Sequence, residues 1–125
     1  MTAQEILAMI EAVDPADTAK LDEIDRWVCR YVHGMSEGFN GTYEPEKHRY
    51  TSSRDALKAI RPKGYSVYIQ KTTSCMCTME YVTYGALDED KIKPQKLVTA
   101  RNLPTEELAE LHAIIQAIAY ERQQK

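Results

Sequence analysis

Between Tyr50 and Ile69 the spacing of apolar residues changes from about 3.6 to about 2, across the break Pro62-Lys63-Gly64. Thr51 or Ser52 with Asp55 reads as a capped helix start, and Ala56, Leu57 and Ile60 mark its inward side. A helix cannot run through Pro62, because the ring removes a donor and displaces the preceding turn. Tyr65 to Gln70 then alternates as a strand does. The chain must therefore hold both helix and sheet. Everything before the break reads as helix and loop, and everything after it as sheet followed by one more helix. The expected fold class is α+β: an antiparallel sheet of at least three strands with about four helices packed on it, a helix–sheet–helix sandwich.

Thr2 to Val13 reads as a helix opened by a Thr2/Glu5 capping box, with Ile6, Met9, Ile10 and Val13 as its stripe. Asp14-Pro15 ends it. Asp17 or Thr18 caps a second helix running to about Val32, with Leu21, Ile24, Val28 and Tyr31 on its seam and Gly34 as its stop. Residues 35–49 read as a long loop, with Phe39 and Tyr43 as residues that pin it. Cys75 to Tyr84 is expected to pair with Tyr65 to Gln70 as an antiparallel hairpin, and Lys96 to Arg101 is a third strand. Pro104-Thr105-Glu106-Glu107 opens the last helix, whose seam is Leu108, Leu111, Ile115 and Ile118, with His112 on its flank.

At 125 residues the chain fits a single domain, 1–125. The formal net charge of -3 argues against non-specific nucleic-acid binding. No apolar stretch approaches membrane-spanning length, and no signal peptide is read at the start. Three cysteines without an export signal read as reduced thiols, so the expected location is the cytoplasm.

Two stretches, Tyr50-Thr51-Ser52-Ser53-Arg54-Asp55-Ala56-Leu57 with Gly64-Tyr65-Ser66-Val67, and Leu103-Pro104-Thr105-Glu106-Glu107-Leu108-Ala109-Glu110-Leu111, follow Leu21-Asp22-Glu23-Ile24-Asp25-Arg26-Trp27-Val28 in an order that resembles the small phage proteins of the phage ABA sandwich domain type. That resemblance implies a helix–sheet–helix arrangement and a bacteriophage or prophage origin, hence the host cell cytoplasm. It implies no reaction.

Three constellations carry candidate chemistry. Cys29 and His33, four apart on a helix, and Cys75 and Cys77, two apart on a strand, would satisfy a tetrahedral zinc site, although packed reduced thiols are the plainer reading. A catalytic thiol would need a base, for which His33, His48 and His112 are available, but no recognised hydrolase context surrounds them. Arg54, Lys58 and Arg61, with Ser52 and Ser53, form a basic stripe that an anion or nucleotide could use, or a solvated helix face. Tyr65, Tyr68, Tyr81 and Tyr84 on the hairpin, with Phe39 and Tyr43 of the loop, are candidate interface residues.

The leading functional expectation is a small phage or prophage accessory protein, a host-takeover or anti-defence candidate, that binds a host or phage protein and catalyses nothing. No cofactor and no catalytic residue is assigned. A homodimer, an anion- or nucleotide-binding protein using Arg54, Lys58 and Arg61, and a zinc-stabilised interaction module are the alternatives.

Overall fold

The computed structural model describes residues 2–33, 48–62, 65–71, 75–81 and 97–123, with backbone alone at 66, 68, 71, 75–81 and 97. Four helices and three strands follow one another: α1 (Ala3–Ala12), α2 (Thr18–His33), α3 (Arg54–Ile60), β1 (Tyr65–Lys71), β2 (Cys75–Tyr81), β3 (Leu97–Leu103) and α4 (Glu106–Gln123).

Local chemistry sets the helix starts. The Thr2 hydroxyl accepts the Glu5 N–H at 3.2 Å while the Glu5 carboxylate takes the Thr2 N–H at 3.2 Å, so two donors at the start of α1 are satisfied reciprocally. The same hydrogen bonds hold the exposed Glu5 carboxyl below its ordinary range. The Asp17 carboxylate accepts the Lys20 N–H at 3.1 Å and starts α2. Ser53, rather than Thr51 or Ser52, caps α3, its hydroxyl accepting from Ala56 N–H at 3.3 Å. Thr51 and Ser52 lie in the turn before the helix, where the buried Asp25 carboxylate accepts the Thr51 N–H at 2.8 Å and the Arg49 carbonyl accepts those of Ser52 and Ser53. The Thr105 hydroxyl accepts from Leu108 N–H at 3.1 Å and opens α4.

The sheet-based sandwich expected from the sequence is overturned. The described residues are mostly helical, with helices of 10, 16, 7 and 18 residues against three strands of 7. The reason lies in α4. Leu108, Ala109, Leu111, Ala113, Ile114, Ile115 and Ala117 are all buried, and so are Glu110 and His112, so the helix is covered on nearly every side rather than along one seam. It packs on β2, β3 and β1 and also meets α1 and α3, while α1 rests on α2. The layers therefore run strands, α4, other helices, with α4 in the middle and no strand layer held between helices among the described residues. Burying each Leu or Ile of that central helix contributes roughly 1.5–3 kcal/mol.

The short strands pair antiparallel in the order β1-β2-β3. Tyr65 stands against Tyr81, Ile69 against Cys77 and Lys71 against Cys75. Between β2 and β3, Cys77 stands against Ala100 but Cys75 against Leu103, so Arg101 and Asn102 together oppose Met76. Asn102 takes a left-handed backbone, with φ of 63°. The predicted stop at Gly34, the loop to residue 47 and strand positions 82–84 and 96 lie outside the described residues.

His112, expected on the flank of the last helix, is instead buried. Its Nδ1 accepts from Gln116 Nε2 at 2.8 Å, and the same amide donates to the Thr99 carbonyl at 3.1 Å. That fixes the proton on Nε2, which donates to Glu11 Oε1 at 2.9 Å and ties α4 to α1.

Candidate metal centre

Cys29 and His33 come from the last two turns of α2, one helical turn apart. His48 enters from the segment that leads into α3. One ligand atom from each of the three lies within 4.8 Å of the others. Cys29 is buried, His48 half-buried and His33 exposed.

Two sets of contacts fix this geometry. The Arg122 guanidinium stacks over the Tyr31 ring at 4.4 Å and donates to the Val32 carbonyl at 3.2 Å, bracing the end of α2 against the end of α4. On the other side, the Arg49 carbonyl accepts from Ser52 and Ser53 N–H at 3.1 and 2.8 Å, and the Asp25 carboxylate holds Thr51. That turn presses Tyr50 into the core, where it is 1% exposed. Its hydroxyl lies 3.3 Å from His33 Nε2, and its ring lies 5.9 Å from that of His48, which is in turn 5.8 Å from that of His33.

The thiol chemistry follows from these neighbours. Burial pushes the Cys29 thiol up, and a hydrogen bond from Tyr50 pulls it partly back. In the absence of metal Cys29 is therefore a protonated thiol at neutral pH. A divalent ion would displace that proton and bind the thiolate. One sulfur and two imidazole nitrogens form the donor set that suits zinc, at metal–ligand distances of roughly 2.0–2.3 Å. Tyr50 would stand in the surrounding shell that orients His33.

The structure thus brings together two of the four residues singled out as zinc ligands, Cys29 and His33, and adds His48. Cys75 and Cys77 lie in β2, paired with Lys71 and Ile69, and their side chains are outside the described residues. His48 stood in the sequence only as a potential base. The signal that could have found it is a second imidazole directly before a helix start, after a Cys-x-x-x-His turn.

The basic stripe is engaged within the chain. Arg54 pairs with Glu106 and Arg61 with Glu110, both carboxylates lying on α4. Lys58 is exposed, and so is Ser52, while Ser53 serves as the cap of α3. Among the proposed interface tyrosines, Tyr65 is half-buried against the core. The side chains of Tyr68 and Tyr81, and all of Phe39, Tyr43 and Tyr84, are outside the described residues.

Comparison with protein families, curated proteins and solved structures gives no match for the chain. No helix among the described residues is long and apolar enough to cross a membrane.

Proposed function

We propose that this chain is a small non-enzymatic binding protein braced by one transition-metal ion, zinc by its donor set, held between Cys29, His33 and His48. The convergence of those three donors within 4.8 Å carries the reading. A metal there joins the end of α2 to the start of the α3 segment, two parts of the chain with an intervening stretch of 14 residues, and closing a loop of that length constrains the unfolded chain most of all. The binding role, with a host or phage protein as partner in a phage or prophage setting, is supported by the order of the helix-start motifs alone.

Elemental analysis of full-length protein purified without chelators tests the metal directly. About one equivalent of zinc is expected, with chelation lowering the melting temperature and zinc restoring it. Zinc at a hundredfold its Kd should add about 2.7 kcal/mol. His48→Gln, which alters a half-buried side chain outside the core, should abolish that increment. Zinc below a tenth of an equivalent, with no thermal response to added metal, would refute the assignment.

A further inference from the structure

The three donors do not surround the ion evenly. The thiol lies inward and the imidazoles outward, and His33, His48 and Tyr50 form one wall of a cavity of about 460 Å³. Ala56, Ala59 and Ile60 of α3 line the other wall. A zinc ion with three protein ligands keeps its fourth position for water or an outside donor. One thiolate and two neutral imidazoles leave a divalent ion with one unit of positive charge, which favours an anionic fourth donor. Asp55 also lines the cavity. Its exposed carboxylate adds negative charge at the rim, which weighs against a ligand carrying more than one negative charge. The volume falls within the range of about 300–1,000 Å³ usual for small-molecule sites.

We infer that, on the reading that the cluster holds a metal, the fourth coordination position opens into this cavity and takes an exchangeable monoanion: hydroxide at rest, displaced by a small ligand bearing one carboxylate or thiolate. Exchange at the metal makes one metal–ligand bond as it breaks another, and no electron is transferred.

Cobalt(II) substituted into the full chain reports both steps. Cobalt should give tetrahedral visible bands with a thiolate charge-transfer band from Cys29. Azide and thiocyanate should then shift the visible bands with saturation at one anion per metal. Ala59→Trp, which fills the cavity from an exposed position, should bind cobalt as before and lose at least tenfold in anion affinity. Cys75→Ser and Cys77→Ser should leave the charge-transfer intensity unchanged. Cobalt bands indifferent to saturating anion, or a charge-transfer band that falls in either cysteine variant, would overturn the open position while leaving the metal in place. Absence of cobalt binding would overturn the metal reading itself, and this inference with it.

Discussion

The pair Arg61–Glu110 fixes α3 against the central helix, and its asymmetry allows its worth to be calculated. The Glu110 side chain is 2% exposed and the Arg61 side chain 28%. Among the described residues neither Arg61 Nε nor Glu110 Oε2 has a hydrogen-bond partner, so the carboxylate depends heavily on the guanidinium. Removing one member of a buried pair costs about 3–5 kcal/mol, because the other charge stays buried and uncompensated. Arg61 is over a quarter exposed, so water can reach the vacated side, and for Arg61→Ala roughly 2–3 kcal/mol is the appropriate range. Unfolding entropy near 2.1 cal/mol/K per residue converts that to a fall in melting temperature of roughly 8–11 °C for a chain of this length. The double replacement Arg61→Met with Glu110→Leu should lie within about 1 kcal/mol of the native protein or above it, since both desolvation penalties vanish together. Urea denaturation of the native protein, Arg61→Met, Glu110→Leu and the double variant gives the coupling energy directly. A loss under about 1 kcal/mol for Arg61→Ala, or a double variant as unstable as the single one, would refute the reasoning.

Two further outcomes are expected. The Thr51 hydroxyl is buried without a hydrogen-bond partner among the described residues, while its N–H is held by Asp25. Thr51→Val should therefore raise stability by about 0.5–1 kcal/mol in urea unfolding, and a loss of that size would show that the hydroxyl is partnered. The metal-free protein holds the Cys29 proton more tightly folded than unfolded, since burial raises that thiol. Its stability contribution should be complete below the ordinary thiol range and decline as pH rises from that range through the raised value. Cys29→Ala should flatten that decline, and an unchanged slope would rule the thiol out as its source.

Local chemistry was legible in the sequence wherever a short-range signal decides the outcome. The Thr2/Glu5 box, the inward Ala56, Leu57 and Ile60, and the change to strand after Pro62 all stand where their spacing indicated. The role of α4 was not legible. A periodic reading takes Leu108, Leu111, Ile115 and Ile118 as a seam, puts His112 on its flank and gives Glu110 no inward place. In the fold Arg61 covers Glu110 and Glu11 holds His112, so polar residues on this helix are buried with partners about fifty and a hundred positions away. Sequence spacing carries no information about such partners. The metal centre was half legible for the same reason: Cys29 and His33 share a helix, whereas His48 reaches them only through the Arg49–Ser53 turn and its anchor on Asp25.

The unequal pairing of β3 against β2 makes residue number there as binding as residue identity. Val98 and Ala100 are buried, and strict alternation would send Asn102 inward next. The additional residue passes that place to Leu103, which is buried, and leaves Arg101 and Asn102 both in water. Loss of either one would restore strict alternation with Leu103 still inward, yet it would remove the bend that the extra residue puts into β3 and so change the direction from which Thr105 launches α4. Descendants of this chain are free to change the letters between Ala100 and Leu103, but not how many there are.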